Sequence, residues 1–253
     1  MKTRTLFLAL AAASFTTAAC NAEKAGTKGG SAESHPVKPV APPKNGDWTT
    51  VATETAEGGF LMGNPNAKVK IVEFGSLTCP HCAEFDETGV KPLIENYVKT
   101  GRVSYEFRNF VRDPFDVAAS LVARCGGAAS FFGLMRGFYA DQRDWVGKIQ
   151  AADQNKMQAV QNLPPEQQFV EIAKIAGFQD WAAMRGLPPE KTNACLANKA
   201  EVDRLVQMQN DAVSAYNIPG TPGFLLNGEL VTIDNSATVW AQLEGKIKAA
   251  LGG

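Results

Sequence analysis

Residues 68–82 read KVKIVEFGSLTCPHC and place two cysteines directly after a strand pattern. Residues 68–74 are rich in Val, Ile and Phe, which favours a β-strand, and the loop 75–78 leads to Cys79. A helical pattern follows, so Cys79 and Cys82 stand where a helix opens. Unpaired N–H groups at a helix N-terminus stabilise negative charge, which lowers the pKa of Cys79 and raises its thiolate fraction.

The two cysteines have different predicted roles in disulfide chemistry. Because the thiolate is the attacking species, we assign Cys79 as the nucleophile. Cys82 lies one helical turn further along and is close enough to form or resolve a disulfide with it. His81, which follows Pro80 between them, adds charge or a hydrogen bond to the thiolate. A more stable thiolate makes the disulfide a stronger oxidant, so the pattern predicts a redox-active pair that needs no further cofactor.

Outward from this pair, the sequence predicts one α/β sheet domain, residues 47–253, into which a helical domain is inserted. Strand patterns cover residues 68–74, 103–107 and 224–232, and helical patterns cover residues 83–98, about 114–217 and about 236–251. Asn227-Gly228 predicts a hairpin turn inside the last strand pattern, and Pro92 predicts a kink or a break in the first helix. The order of the elements indicates that the block 114–217 interrupts a sheet.

Three local patterns give more detailed expectations. Residues 103–107 alternate apolar with polar side chains, which is typical of a half-buried strand. Asp113 before Pro114 predicts a helix start with an N-cap. The proline pair at 188–189 predicts the start of one long helix that extends at least to Met208.

The N-terminus predicts an export signal peptide at residues 1–20. Lys2 and Arg4 give a charged start, an apolar run follows at 6–15, and small residues precede Cys20. The segment resembles a bacterial lipoprotein signal, in which this cysteine is acylated and becomes the first residue. Ordinary signal cleavage near this point is the alternative, and it would leave an odd cysteine to be explained.

Residues 21–46 predict a disordered tether between the signal and the domain. They contain no aromatic residue and are rich in Gly, Ala, Pro, Lys and Ser, so they bury too little apolar surface to offset the cost of ordering. The whole chain carries 25 basic and 26 acidic residues, which argues against a nucleic-acid-binding surface. Since the tether is too short and too polar to supply a dimerisation domain, we expect a monomer.

The segment GSLTCPHC at residues 75–82 resembles the active-site segment of the DsbA family of bacterial periplasmic disulfide oxidoreductases. The similarity includes the Pro80-His81 dipeptide and covers roughly residues 60–250. It implies a thioredoxin-like fold and an enzyme that transfers its own disulfide to unfolded or reduced exported proteins. It also implies a periplasmic location, anchored to the membrane if Cys20 is acylated, and reoxidation by a DsbB-like membrane partner.

Glu73 precedes Cys79 by six residues, where DsbA-like proteins carry a buried acidic residue that assists proton transfer at the resolving cysteine. By strand alternation Glu73 shares a face with Val69 and Ile71, which is consistent with burial. A buried carboxyl group has a raised pKa and exchanges protons near neutral pH. The alternative is an exposed glutamate at the end of a strand.

A second match to the family lies at residues 218–224, IPGTPGF. In thioredoxin-like proteins a proline before the hairpin is cis and faces the cysteine pair, and the residue before it offers backbone hydrogen bonds to the substrate. The resemblance implies a cis Thr221–Pro222 bond and assigns both residues to substrate binding. Thr221 matches the Thr of disulfide isomerases such as DsbC and DsbG, whereas the best-known DsbA has Val. An isomerase or reductase is therefore an alternative to an oxidase, and a non-catalytic chaperone-like binding protein is a third.

Cys125 and Cys195 both fall in the predicted helical insertion. Four cysteines allow three pairings, and the close spacing of Cys79 and Cys82 favours their pairing, which leaves a structural disulfide between the other two. A second redox pair that relays electrons is the alternative. A lone Cys-x-x-Cys motif is also half a zinc site, but no histidine lies near the remaining cysteines, so we predict no metal.

Overall fold

The structure is a computed structural model that describes residue 42 and residues 47–252. Within residues 47–252, six strands form one mixed sheet. They are β1 Ala52–Glu54, β2 Phe60–Gly63, β3 Val69–Gly75, β4 Val103–Asn109, β5 Gly223–Leu226 and β6 Glu229–Leu230. The order across the sheet is β1-β2-β4-β3-β5-β6; β3 and β4 are parallel and the other neighbours are antiparallel. The predicted signal peptide (1–20), with Cys20, and the predicted tether (21–46) lie outside residues 47–252.

A block of helices interrupts this sheet between β4 and β5. In chain order the α-helices of the described segment are α1 Pro80–Phe85, α2 Lys91–Asn96, α3 Pro114–Arg124, α4 Ala128–Ala140, α5 Gln142–Gln150, α6 Gln154–Gln161, α7 Pro165–Ala176, α8 Phe178–Ala183, α9 Pro189–Leu196, α10 Lys199–Ser214 and α11 Val239–Leu251. Because α3 to α10 all lie between the two strands, the predicted fold class, an α/β sheet with inserted helices, is confirmed. No helix among the described residues is both long enough and apolar enough to cross a membrane.

The central strand β4 is buried on both faces, so the prediction of a half-buried strand is wrong. Tyr105 and Phe107 belong to the main core and have no exposed surface. Glu106 and Arg108, on the other face, are each only 7% exposed. Arg108 Nε donates to Glu106 Oε1 over 2.7 Å, and Arg108 also donates to Tyr216 Oη. The two charges satisfy each other, which allows a polar face to be buried.

The strands β1 and β2 extend the sheet beyond what the sequence predicts. They have three and four residues, too few to show a period. Phe60 of β2 pairs with Phe107 of β4, and its ring stacks on Phe131 of α4 with the ring centroids 4.2 Å apart. These strands are therefore fixed by contacts with distant parts of the chain.

The predicted hairpin is present, and it is anchored to the centre of the sheet. Asn227 and Gly228 connect β5 and β6 with φ angles of 52° and 89°, the left-handed values that a tight hairpin turn requires. Asn227 Oδ1 accepts a hydrogen bond from Lys70 N, and Asn227 N donates to Lys70 O. The second strand is shorter than predicted, since β6 ends at Leu230.

A π-helical turn interrupts the helix after Cys79 just before Pro92, where the sequence predicts a kink or a break. α1 ends at Phe85, residues Asp86–Val90 form a π-helical turn, and α2 starts at Lys91. Pro92 has no N–H group to donate to the preceding turn, so the α-helical hydrogen-bond pattern is interrupted ahead of it, and Pro92 lies in the first turn of α2.

Two other helix boundaries differ from the predictions. The single long helix expected to reach Met208 is instead α9 followed by α10. Asn198 separates them, because its side-chain oxygen accepts a hydrogen bond from Glu201 N and caps α10. α11 begins later than the predicted start near residue 236, because Thr238 is its N-cap residue.

Candidate active site

Cys79 and Cys82 lie at the start of α1, directly after the loop that follows β3. Cys79 is the N-cap residue and Cys82 lies in the first turn. Both sulfur atoms are free of disulfide bonds, so the structure shows the dithiol form, and the residues are 2% and 0% exposed. The fold thus brings together the two cysteines that the sequence assigns as a redox pair.

The surroundings of Cys79 stabilise its thiolate and lower its pKa to about 4. The largest contribution is a hydrogen bond from the Cys82 thiol, and burial opposes it. The side chain of Thr221 and the backbone of Cys82 and His81 lower the pKa further. The side chain of His81 is exposed to solvent.

Cys82 has the opposite character, because its pKa is raised well above the ordinary value of a thiol. Burial is the largest cause, followed by its hydrogen bond to Cys79 and by the negative charges of Glu73 and Cys79. At neutral pH one member of the pair is thus a thiolate and the other is a protonated thiol.

Thr221 contacts Cys79 from the loop before β5. Its carbonyl oxygen lies 3.3 Å from Cys79 Sγ and accepts a hydrogen bond from the thiol form. The Thr221–Pro222 peptide bond is cis, as the family resemblance implies. The next residue, Gly223, begins β5 and pairs with Phe74 of β3, so the sheet register sets this loop beside the cysteine pair.

Glu73 is buried in β3 with 1% of its surface exposed, so the alternative of an exposed glutamate does not hold. Tyr105 Oη donates a hydrogen bond to Glu73 Oε2 over 2.6 Å. Burial raises the pKa of Glu73 to about 8; the hydrogen bond from Tyr105 lowers it, and the negative charges of Asp86 and Cys79 raise it further. The carboxyl group therefore holds a proton at neutral pH.

Three polar residues of the site are not predicted from the sequence. Asp86 is 6% exposed and accepts a hydrogen bond from Arg136 Nε over 3.2 Å, and burial raises its pKa to about 6. Asp116 of α3 is fully buried, which raises its pKa to about 7. Gln142 of α5 is also buried and contacts the loop before Cys79. The sequence signals for Asp86 and Asp116 are their positions near the start of a helix, which predict a favourable charge but not burial.

Two clefts flank the cysteine pair, and His81 lines both. One has a volume of about 710 Å³, lies between α1 and the loops on either side of β5 and β6, and includes Thr221, Pro222 and Leu230. The other has a volume of about 900 Å³, lies between α1 and the inserted helices α4 and α5, and includes Arg136. The first cleft therefore contains both residues that the sequence assigns to substrate binding.

Cys125 and Cys195 form a disulfide within the inserted helices, with their Cα atoms 5.6 Å apart. Cys125 is the C-cap residue of α3, and Cys195 lies in α9. Both are partly exposed. Among the described residues, no group of three or more His, Cys, Asp or Glu side chains is placed to hold a metal ion.

A strand, a loop and a Cys-Pro-His-Cys helix start, set against a cis-proline loop, define a protein of thioredoxin-like fold. A protein-family model described as Thioredoxin matches residues 55–249. The crystal structure of protein-disulfide isomerase from Novosphingobium aromaticivorans matches with a TM-score of 0.71 and 33% identity, covering 80% of this chain and 100% of that one. The chain therefore belongs to the thioredoxin family.

Other relatives agree with this placement. A protein of Rickettsia bellii, whose name describes a protein-disulfide oxidoreductase, is 29% identical over 173 residues, which cover 68% of this chain and 58% of the relative. The chain thus spans less than two thirds of that relative's length. The crystal structure of Wolbachia pipientis alpha-DsbA1 shares the fold, with a TM-score of 0.61 and 21% identity over 79% of this chain and 93% of that one.

Proposed function

We propose that the protein introduces disulfides into exported proteins by transferring its Cys79–Cys82 disulfide. The observation that carries the proposal is the placement of two free cysteines at the start of α1, where Cys79 is the N-cap residue and Cys82 is buried in the first turn. This placement lowers the pKa of Cys79 and raises that of Cys82. Because the Cys79 thiolate is stabilised, the dithiol form is favoured over the disulfide, and the disulfide is correspondingly a strong oxidant. DsbA itself is the best-known case of this relation between a low thiol pKa and an oxidising potential.

The transfer begins when a substrate thiolate attacks Cys79 Sγ and the Cys79–Cys82 bond breaks. Cys82 leaves as a thiolate and takes up a proton, since its pKa is raised. A second substrate thiolate then attacks the substrate sulfur of the mixed disulfide, and Cys79 leaves. A low pKa makes Cys79 a good leaving group. Two substrate thiols are oxidised to one disulfide, and their two electrons reduce the cysteine pair.

In this mechanism Glu73 moves the proton of Cys82. With a pKa of about 8, its carboxyl group holds a proton at neutral pH and can give it to the Cys82 thiolate as that thiolate leaves. When the pair is reoxidised, the Glu73 carboxylate takes the proton from Cys82 so that Cys82 can attack. The interaction is supported by the effect of Glu73, whose negative charge raises the pKa of Cys82.

The substrates in this proposal are unfolded or reduced exported proteins, and the protein works in the periplasm. A substrate chain that enters the cleft lined by Thr221 and Pro222 reaches Cys79 beside the main chain of Thr221. A DsbB-like membrane partner reoxidises the dithiol. An acylated Cys20 would hold the domain near that partner.

The reduction potential of the cysteine pair tests the direction of the reaction. Residues 47–253 carrying Cys125→Ala/Cys195→Ala are equilibrated in glutathione buffers, and the free thiols are counted by alkylation. We expect a potential of about −120 to −180 mV, the range of DsbA and protein disulfide isomerase. A value near that of thioredoxin, about −270 mV, would contradict the oxidase and indicate a reductase.

A disulfide isomerase is the second candidate, favoured by Thr221 and by the name of the Novosphingobium structure. An isomerase attacks substrate disulfides with its Cys79 thiolate and releases them without net oxidation. Refolding of ribonuclease with scrambled disulfides, with no oxidant added, distinguishes the two candidates, because only an isomerase catalytically restores the activity of the ribonuclease. A Cys79→Ser variant that keeps its effect on substrates would instead favour a chaperone-like binding protein.

A further inference from the structure

Side chains of the inserted helices hold the loop between β3 and Cys79 from two sides. On its N–H side, Asp116 of α3 accepts hydrogen bonds from Leu77 N over 2.8 Å and from Ser76 Oγ over 2.6 Å. On its carbonyl side, the Gln142 amide nitrogen donates to Leu77 O over 2.7 Å and to Cys79 O over 3.0 Å. Hydrogen bonds from the inserted helices thus satisfy both N–H and carbonyl groups of this loop.

Gln142 is well suited to hold the residue that starts α1. It is the first residue of α5 and is 7% exposed. A single amide nitrogen carries two hydrogens, so it can serve both carbonyl groups without adding charge beside the sulfur. The Cys79 carbonyl also accepts the hydrogen bond from Ala83 N that opens α1. Gln142 therefore holds the peptide group from which the helix begins.

We propose that Gln142 is a positioning residue for the redox pair, which keeps Cys79 aligned at the start of α1 by holding the carbonyl groups of Leu77 and Cys79. The inference deepens the proposed function and rests on it. The backbone at an N-cap residue directs the first free N–H groups of a helix toward the N-cap side chain. If the Cys79 carbonyl were released, Cys79 would no longer be held in place at the N-terminus of α1, where unpaired N–H groups and the helix dipole stabilise negative charge, and the thiolate would lose stabilisation.

The competing explanation is that Gln142 only satisfies two buried carbonyl groups. Its loss would then lower the stability of the fold and leave the chemistry of Cys79 unchanged. The two explanations therefore predict different effects on the thiol pKa and on the redox equilibrium, whereas both predict a lower melting temperature.

Gln142→Met in the full chain tests the inference, because Met is of similar length and cannot donate a hydrogen bond. The pKa of Cys79 is measured from thiolate absorbance at 240 nm, and the equilibrium constant for reduction of the pair by glutathione from thiol alkylation. We expect the pKa to rise by about one unit and the equilibrium constant to fall roughly tenfold, since one pKa unit is a tenfold change in thiolate stability.

Ser120→Ala is the matched control. Ser120 is a fully buried residue of α3 that accepts a hydrogen bond from Asn109 Nδ2 over 3.0 Å. Its replacement removes a buried polar contact of the insertion that does not involve the loop between β3 and Cys79, which we call the redox loop. We expect this variant to lose stability while its thiol pKa and redox equilibrium stay within twofold of wild type. The inference is overturned if Gln142→Met behaves in the same way.

If Gln142→Met does not fold, Gln142→Leu gives the same test, because Leu is also uncharged and cannot donate a hydrogen bond. A shift of the redox equilibrium in this variant supports the inference, and an unchanged equilibrium overturns it. The proposed function is tested separately by the absolute potential of the wild-type protein. The role of Gln142 is tested by the ratio of the redox equilibrium constants of the variant and the wild-type protein.

Discussion

At the scale of single residues, two identical side chains three positions apart differ in acidity because they occupy different places in one helical turn. Cys79 is the N-cap residue of α1, and the side chains of Cys82 and Thr221 together with the backbone of Cys82 and His81 lower its pKa. Cys82 is enclosed by the core and is close enough to Glu73 for that carboxylate to raise its pKa. The negative charge of the dithiol pair is therefore concentrated on Cys79 Sγ.

Glu73→Gln should remove a pH-dependent loss of stability. The pKa of Glu73 is raised from 4.5 to about 8 in the folded protein, so between these values the folded state holds the proton more tightly than the unfolded state does. The stability from this group is fully present below pH 4.5 and is lost as the pH rises through about 8. At about 1.4 kcal/mol per pKa unit, the expected loss amounts to several kcal/mol.

Urea unfolding of the dithiol protein at low and high pH, on either side of this range, measures the effect. The free energy of unfolding of Glu73→Gln should rise relative to wild type as the pH increases. Glu84→Gln, which changes an exposed carboxyl group on α1, is the control and should differ from wild type equally at both pH values. If the free energy of unfolding of Glu73→Gln also differed from wild type by the same amount at both pH values, this would contradict the prediction that the buried Glu73 carboxyl group holds its proton.

At the scale of helices and strands, the elements predicted correctly are those whose signal is local. β3 is predicted from one apolar run, the start of α1 from one cysteine motif, and the hairpin from Asn227-Gly228. The elements that were missed depend on distant contacts. β1 and β2 are too short to show a period, the covered face of β4 depends on the pairing of Glu106 with Arg108, and the cap at Asn198 lies inside a continuous helical pattern.

Gly228→Ala should destabilise the protein by about 1–2 kcal/mol, the cost of the left-handed conformation for a residue with a side chain. Gly228 has a φ of +89°, and no atom lies within 4 Å of a Cβ added there, so the cost is conformational alone. Gly245→Ala in α11 is the matched control, because it also has open space and should stabilise the helix by about 0.5–1 kcal/mol. Urea unfolding measures both, and a gain of stability in both variants would contradict the turn geometry.

At the scale of the whole molecule, the inserted helices complete the active site as well as the core. The sheet supplies the cysteine pair and Thr221, which belong to recognisable local motifs and are predicted from the sequence. The insertion supplies Asp116 and Gln142, whose contacts with the redox loop join residues 39 and 63 positions apart in the chain. No local pattern marks the burial of these two residues against the loop, so the part of the site that comes from domain packing is visible only in the structure.

The Cys125–Cys195 disulfide should stabilise the insertion without setting the chemistry of the redox pair. It links residues 70 positions apart, and loss of such a disulfide costs about 2–4 kcal/mol. Cys125 lies about 14 Å along α3 from Asp116, so the contacts with the redox loop should survive its removal. Cys125→Ala/Cys195→Ala should therefore lower the free energy of unfolding in urea by that amount and leave the potential of the Cys79–Cys82 pair unchanged. A shifted potential, or slower substrate oxidation at unchanged stability, would instead show that this second pair relays electrons.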